Sequence, residues 1–424
     1  MNRSGSSSYA ELRQHLEKVP VIETHEHYSE YADHGDALGF ILDNYYHADY
    51  LSAGGEESFP EGLSAGERLD RFLNTFGKSN KTAYARGMLN GLRQCWGVEK
   101  LETREDFLAF EARFASRDVS IYEKTMDRLG IRAKIVDSFS FGEYLAGQKK
   151  GSKYARFAFP LPDVHNLHGF PDVMHLQAHL DRPIVCLDDY TEAFERYFER
   201  CVDFGIVCLK DQSAYRRDVA YGNPAKAEAE KAFNDIIFHP REIFGDDRVR
   251  PLDDWLFQYA MRLAAGHNLP VQLHTGHMAG IRNEIAKTNA VNLIPTIELH
   301  RNVRFGLFHG NWPYMDEYLF IGKNYPNVWL DLCWVQCIDP VYCVELMKRA
   351  VMTVPHSKIF AFGGDTGAVE WVAGYLELAR DNVACALSEL TDSGWLSMSE
   401  AKRLAADWFF NNPNDFFALG FDRV

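Results

Sequence analysis

The sequence lacks several features that would place it in a particular class of protein. Its eight cysteines form no Cys-x-x-Cys pair, and several lie inside apolar runs, so we expect buried reduced thiols rather than disulfide bonds or a zinc knuckle. Positive charge is in deficit, because 45 Lys and Arg residues face 60 Asp and Glu residues and leave a net charge of -15. This balance argues against a nucleic-acid partner but not against a small acidic substrate bound by local arginines.

Long apolar runs are also missing. No stretch reaches the roughly 18 apolar residues of a membrane helix, and none follows the polar start Met1–Ser8 as a signal peptide would require. We therefore expect no membrane partner and a cytoplasmic location. The chain of 424 residues, 46% hydrophobic and 25% charged, has the composition of a globular protein with one large domain or two ordinary ones.

The most informative stretch is a short apolar run that ends in two histidines, Val19-Pro-Val-Ile-Glu-Thr-His-Glu-His27. If the run is a strand, its period of two places His25 and His27 on the same face at its C-terminal end. Two imidazoles in that position can bind one divalent ion. The pair becomes informative only if further ligands stand at the ends of other strands.

Strand-like and helix-like segments alternate along most of the chain. The candidate strands are residues 19–27, 131–137, 154–161, 205–210, 269–274, 303–309, 328–333 and 359–365. Eight short apolar strands separated by helical patterns predict an α/β fold, a (β/α)8 TIM-type barrel. Residues from about 28 to 118 show helical patterns and no convincing strand. They predict a helical insertion after strand 1, over the C-terminal mouth of a single domain of residues 1–424.

Polar residues with ligating atoms stand at the predicted strand ends: His25, His27, Lys210, His274, His309 and Asp365. In a (β/α)8 barrel the C-terminal ends of all strands open onto one rim, so these residues are expected to converge around one cavity. Each has a structural alternative. A histidine at a strand end is often a hydrogen-bonded structural residue, and Asp365 could cap a following helix. Their coincidence at several strand ends favours a functional site.

This set of residues resembles the amidohydrolase superfamily of metal-dependent barrels. The resemblance covers most of the chain and includes the closing segment Trp408–Phe417, similar to the helix that ends many members. The stretch Leu273-His-Thr-Gly276 looks like the branch that holds decarboxylases, hydratases and lactone hydrolases. The insertion with Tyr46–Gly54 is similar to that of uronate isomerases.

The resemblance implies a metal centre and two catalytic residues. His25, His27 and Asp365 would hold one divalent metal ion, with His274 as the fourth ligand, and this donor set suits Zn²⁺, with Mn²⁺ as the alternative. Asp365 would serve as general base toward a metal-activated water, and His309 as a second acid or base or as an oxyanion stabiliser. Asp331, placed inside the seventh strand rather than at its end, is a weaker candidate.

Five residues are candidates for the substrate side of the site: Lys210, Tyr215, Arg216, His277 and Arg282. Lysine and arginine suit the binding of a carboxylate. In binuclear members of the superfamily the strand-4 lysine is carboxylated and bridges two metal ions, which leaves open a second ion at Lys210. His277 would be an extra acid or base, an extra ligand or a substrate contact. Arg282, followed by Asn283, resembles an Arg-Asn pair that binds the sugar acid in uronate isomerases.

The leading hypothesis is a metal-dependent hydrolase that cleaves a C–O or C–N bond of a small carboxylate-bearing substrate. A uronate isomerase-like reaction and a metal-dependent decarboxylation are the alternatives, because both use the same kind of metal site. A non-catalytic binding barrel is disfavoured, since folding does not require this set of ligands together. Barrels of this kind often associate, so a homo-oligomer is also expected.

Overall fold

The computed structural model describes residues 6–424, and within them eight strands follow one another in chain order. The strands are β1 Val21–Glu26, β2 Ile131–Val136, β3 Ala155–Pro160, β4 Cys208–Asp211, β5 Val271–Leu273, β6 Phe305–Leu307, β7 Val328–Asp331 and β8 Ile359–Phe360. Each pairs in parallel with the next. The N–H of Thr24 donates to the carbonyl of Phe362, and the N–H of Asp365 to that of His25, so β1 also meets the segment after β8. The predicted (β/α)8 barrel is confirmed.

Helices occupy the long connection between β1 and β2. After α1 (Ser7–Leu16) and β1 come α2 Ala37–Leu42, α3 Tyr46–Ser52, α4 Ala65–Ser79, α5 Ala83–Trp96, α6 Arg104–Phe114 and α7 Ser120–Leu129. The last of these leads directly into β2. The first five form additional structure in the region predicted as a helical insertion.

Helices also separate the remaining strands. They are α8 Phe141–Leu145, α9 Pro162–His165, α10 Phe170–Met174, α11 Leu187–Phe204, α12 Lys226–Phe238, α13 Asp246–Gly266, α14 Ile294–Leu299, α15 Met315–Asn324, α16 Val335–Ile338, α17 Pro340–Thr353, α18 Val369–Asp392, α19 Met398–Ala406 and α20 Asn412–Phe416. A π-helix of residues Asp407–Asn411 joins the last two. None of the helices in the described range is long and apolar enough to cross a membrane.

The insertion is seated on the barrel through a close contact between α5 and α18. A Cβ atom on Gly374 of α18 would lie 1.9 Å from the carbonyl oxygen of Gly87 on α5. A Cβ on Gly91 would in turn lie 2.3 Å from the carbonyl oxygen of Glu370. Glycine at these positions therefore lets the two helix backbones approach, which fixes the insertion against the barrel wall.

Several predicted boundaries differ from the structure. Strand β8 has two residues, and Asp365 lies five positions beyond it at a φ of 55°. Helix α18 begins at Val369 with Ala368 as its N-cap, so the structural alternative of Asp365 as a helix cap is wrong. Asp331 is the last residue of β7 rather than an interior one, because strand pairing ends where Asp331 meets Phe360.

Six of the eight cysteines are buried, as expected. All eight cysteines are free, although Cys186 is exposed and Cys95 only partly buried. Residues 1–5 of the polar N-terminal start lie outside the described range. The cytoplasmic location, the single domain and the homo-oligomer stay predictions.

Candidate metal centre and active site

The C-terminal end of β1 brings His25 and His27 together. Their ring centroids are 4.7 Å apart in an edge-to-face arrangement. Nδ1 of His27 lies 3.1 Å from the carbonyl oxygen of Asp137 at the end of β2. An Nδ1–H donated to that carbonyl leaves the lone pair on Nε2, the nitrogen that faces the centre of the barrel mouth.

Asp365 connects the two sides of the site. Its Oδ1 lies 3.2 Å from Nε2 of His25 and 3.0 Å from Nε2 of His27, and its Oδ2 lies 3.8 Å from Nε2 of His309. Two groups of ligating atoms result, each within 4.8 Å: His25, His27 and Asp365 in one, and His274, His309 and Asp365 in the other. The three histidines predicted as metal ligands and the predicted catalytic His309 therefore converge on the carboxylate of Asp365, the fourth predicted ligand.

Most donor atoms of this centre are buried and have no hydrogen-bond partner. In the described part of the chain, Nε2 of His25, His274 and His309 and both oxygens of Asp365 have no hydrogen-bond partner. Such atoms are costly to bury unless another group pairs with them. Nitrogen and oxygen donors that face one point fit a divalent transition-metal ion.

The charge states also suit a cation. Burial and the nearby Lys210 ammonium lower the pKa values of His25 and His274 well below their usual range. Burial lowers the pKa of His309 to about 3. Burial alone would raise the pKa of Asp365, but the two β1 histidines outweigh it and lower that pKa. His25, His274 and His309 thus favour the neutral imidazole and Asp365 the carboxylate, the forms that bind metal. His27 differs, because burial is outweighed by the Asp365 carboxylate, which raises the pKa of His27.

Lys210, the penultimate residue of β4, lies beside the ligand set rather than in open space. Its Nζ is 2.9 Å from Nδ1 of His274 and 3.8 Å from the ring centroid of Phe308. The side chain is fully buried, and this burial lowers the pKa of Lys210. The predicted substrate-side lysine is therefore in contact with a predicted ligand.

The loop after β8 is held by two acidic residues of β1. Gly364 N–H donates to Oε1 of Glu23 at 3.2 Å, and Thr366 N–H donates to Oε1 of Glu26 at 2.8 Å. Between them, the N–H of Asp365 donates to the carbonyl of His25. Three consecutive loop amides are thus bound to β1, and this fixes the left-handed backbone that aims Asp365 at the histidines.

Sequence reasoning missed Glu23 and Glu26, together with the lysine that faces them. Burial raises the pKa of Glu23 to about 7 and lowers that of Lys134 to about 8. Burial and the neighbouring Glu23 carboxylate raise the pKa of Glu26 well above its usual range. All three side chains are fully buried. The available signal was the presence of charged residues inside otherwise apolar strands, which requires buried partners.

A cavity of about 840 Å³ opens at the barrel mouth and reaches His27. Tyr215 and Arg216, both predicted on the substrate side, line it. Tyr45 from the insertion also contributes to the wall, as expected for a segment that covers the mouth. Asp137, which sequence reasoning did not select, lies at the inner end and accepts a hydrogen bond of 2.5 Å from Gln212.

The other two predicted substrate residues line a different cavity. His277 and Arg282 face a space of about 640 Å³ between the insertion and the loop after β5. Burial lowers the pKa of His277 to about 4. Trp334 contacts one residue of each cavity: its ring packs at a tilt against Tyr45, with centroids 4.2 Å apart, and stacks on His277, with centroids 5.1 Å apart.

Comparison with known proteins adds a family assignment to this geometry. A sequence model of the family described as Amidohydrolase matches residues 183–365. The match ends on Asp365 and contains His274 and His309, so it includes one of the two candidate ligand groups in full. The predicted resemblance to the amidohydrolase superfamily is therefore confirmed for this segment of the chain.

One curated relative of the chain is the protein fluG of Emericella nidulans. It is 27% identical over 178 residues, which cover 40% of this chain and 20% of that protein. The match therefore spans about a fifth of the length of the relative. The similarity concerns one segment and not the whole of fluG.

Three solved structures share the fold over nearly the full length of both chains. A uronate isomerase from Thermotoga maritima has a TM-score of 0.75 at 12% identity and covers 97% of each chain. A glucuronate isomerase from Caulobacter crescentus has a TM-score of 0.74 at 15% identity, with 98% of this chain and 95% of that chain covered. A protein described as a metal-dependent hydrolase from Lactobacillus casei has a TM-score of 0.67 at 12% identity, with 96% and 97% covered. At these identities the likeness shows the fold alone.

Proposed function

We propose that this protein is a metal-dependent enzyme that hydrolyses a C–O or C–N bond of a carboxylate-bearing substrate. The observation that carries the proposal is the position of Asp365. Its carboxylate touches the histidine pair of β1 on one side and faces His309 on the other. One carboxylate can therefore contact a cation and also exchange a proton with a neighbouring base.

In this proposal, His25, His27, His274 and Asp365 hold one divalent ion, Zn²⁺ first and Mn²⁺ as the alternative. A bound ion of this kind lowers the pKa of a water molecule and polarises a substrate carbonyl. A second ion would be held by the second ligand group, which is formed by His274, His309 and Asp365. The number of ions per chain is therefore measured in the test below.

The proton-handling residues are Asp365 and His309. Nδ1 of His309 lies 3.2 Å from the carbonyl oxygen of Cys333, and an Nδ1–H donated there leaves a lone pair on Nε2. That Nε2 is 3.8 Å from Oδ2 of Asp365. Asp365 accepts the proton of the attacking water, and His309 can pass a proton onward to the leaving group.

A sugar-acid isomerase is the second candidate, supported by a specific observation. Two of the solved structures with the same fold are uronate and glucuronate isomerases, and each shares at least 95% of both chains. In that reaction the same centre would hold a carbonyl and a hydroxyl while a base moves a proton between carbons. Arg282 would then anchor the sugar carboxylate in the cavity beside the insertion.

The test combines metal content with product analysis. Protein purified without chelator is measured by plasma mass spectrometry and then assayed on lactones, amides and uronates. We expect about one ion per chain and hydrolysis of a C–O or C–N bond. The His25→Ala variant should lose the ion and at least 100-fold in turnover while it stays folded, whereas His239→Ala, an exposed histidine on the far end of α12, should change neither. Conversion of a uronate to its isomer would favour the second candidate, and protein that binds no metal would overturn both.

A further inference from the structure

Phe139 is an exposed aromatic residue at the edge of the catalytic cavity. It follows Asp137 and Ser138 at the C-terminal end of β2, and 82% of its surface is accessible. One face of its ring stacks on the imidazole of His27, with centroids 5.1 Å apart and planes 11° from parallel. Single exposed apolar residues are common on protein surfaces. This one, however, lines the cavity and covers a candidate metal ligand.

Besides Phe139, a part of the cavity wall is formed by rigid, mainly apolar side chains. Three prolines (Pro160, Pro162 and Pro171) and two tyrosines (Tyr45 and Tyr215) line the same cavity. Proline and aromatic side chains lose little conformational freedom when a ligand packs on them. The wall is therefore prepared for a flat apolar group.

The polar groups of the cavity are placed elsewhere or are already engaged. Asp137 and Gln212 bond to each other near His27. Asp172 accepts hydrogen bonds from the amides of His168 and Gly169. Arg216 is the arginine of the lining. Its side chain is 43% exposed, and its Nη2 lies 3.4 Å from Oδ1 of Asp246. Asp163 and His175 also line the cavity and are exposed to solvent.

The size of the cavity points in the same direction. Ligand pockets of roughly 300–1,000 Å³ enclose drug-sized molecules. At about 840 Å³ the present cavity lies in the upper part of that range. A six-carbon sugar acid would fill only a part of it.

We infer that the outer wall of this cavity binds an aromatic ring of the substrate, which stacks on the open face of Phe139. The substrate class is then an aryl amide or aryl ester that also bears a carboxylate, with the cleavable bond toward His27 and the carboxylate toward Arg216. This inference rests on the proposed hydrolytic function, because it concerns the substrate of the same site. It narrows the substrate from a small carboxylate to one with an aromatic group.

Two probes that differ only in the ring isolate the inferred contact. N-benzoylglycine and N-acetylglycine share the amide and the carboxylate, and their binding is measured by titration calorimetry with and without added Zn²⁺. We expect the wild-type protein to bind N-benzoylglycine at least tenfold more tightly than N-acetylglycine. Phe139→Ala should bring this ratio close to one, and Phe139→Leu should reduce it at least threefold by removing the aromatic face alone.

Phe238→Ala serves as the matched control, because Phe238 is 74% exposed at the end of α12 and is not among the residues that line the cavity. It should retain the wild-type ratio. Equal binding of the two probes, no binding of N-benzoylglycine, or an unchanged ratio in both Phe139 variants would overturn the inference. A ring preference without hydrolysis of any amide or ester would instead contradict the proposed function and leave the aromatic subsite standing.

Discussion

Nζ of Lys210 lies 2.9 Å from Nδ1 of His274, and both side chains are buried at the carboxyl ends of β4 and β5. The lysine side chain therefore contacts the predicted metal ligand His274 directly. Two roles are compatible with this contact. A free amine would orient the imidazole, whereas a carboxylated lysine would bridge two ions.

The substitution Lys210→Met distinguishes these roles. With a free amine, we expect the metal content to remain near one ion per chain while turnover falls about 10- to 100-fold, because the partner that orients His274 is lost. Metal per chain by plasma mass spectrometry and a steady-state assay are the measurements, and the exposed Lys150→Met is the control. Two ions in the wild type and one or none in the variant would show that Lys210 bridges.

Gly364 provides a test of the loop that presents Asp365. A Cβ atom at this position would lie 2.6 Å from Oε1 of both Glu23 and Glu26. Gly364→Ala should therefore displace the loop, lower the stability by about 1–3 kcal/mol and weaken Zn²⁺ binding at least tenfold. Zinc titration and thermal unfolding measure the two effects. Gly142→Ala, where a Cβ would meet nothing within 4 Å, is the matched control, and equal zinc affinity in both variants would show that the loop does not position Asp365.

Asp253 is expected to make stability depend on pH. It is 1% exposed, and burial raises its pKa to about 8 in the folded protein, although Arg217 and the amide of Leu167 oppose the shift. A carboxyl group whose pKa is higher in the folded than in the unfolded state does not lower the free energy of unfolding at a pH below its unfolded pKa, because it is then protonated in both states. The destabilisation of the folded protein grows as the pH rises from about 4 to about 8 and stays constant above that range.

Replacement by asparagine removes this destabilisation while the side-chain oxygen can still accept from Leu167 N–H. Asp253→Asn should therefore be more stable than the wild type by about 1–3 kcal/mol above pH 8, with the gain vanishing toward pH 4. Urea unfolding at pH 4, 6 and 8.5 gives the three points. A constant difference across this range would mean that the carboxyl is ionised in the folded protein at all three values.

The barrel and the convergence of its ligands could be predicted because both follow from regular rules. A period of two places His25 and His27 together, and parallel strands bring their C-terminal ends to one rim. The loop conformations could not be predicted this way. Asp365 and Trp334 both adopt a positive φ. Their residue types do not predict this conformation, because it is stabilised by tertiary contacts. The inferred role of Phe139 could not be predicted either, because it depends on the contact of this ring with His27, which the local sequence does not indicate.

The two predicted carboxylate anchors can be separated by mutation, because each lines a large cavity that the other does not. Arg216 belongs to the cavity that reaches His27, and Arg282 to the one beside the insertion. Both also line a smaller cavity of about 260 Å³. A hydrogen-bonded ion pair with a substrate carboxylate is worth about 1.5–3 kcal/mol. If the substrate lies against His27, Arg216→Gln should raise KM about 10- to 100-fold with kcat nearly unchanged, and Arg282→Gln should leave KM within about threefold.

Steady-state kinetics of both variants on one carboxylate-bearing substrate and on its uncharged methyl ester provide the measurement. The ester should show no difference between Arg216→Gln and the wild type, because it has no charge to pair. The opposite pattern, a large KM effect from Arg282 and none from Arg216, would move the carboxylate to the cavity beside the insertion. That cavity is walled in part by Asp49 and Tyr84 of the insertion, so such a result would favour the sugar-acid isomerase over the hydrolase.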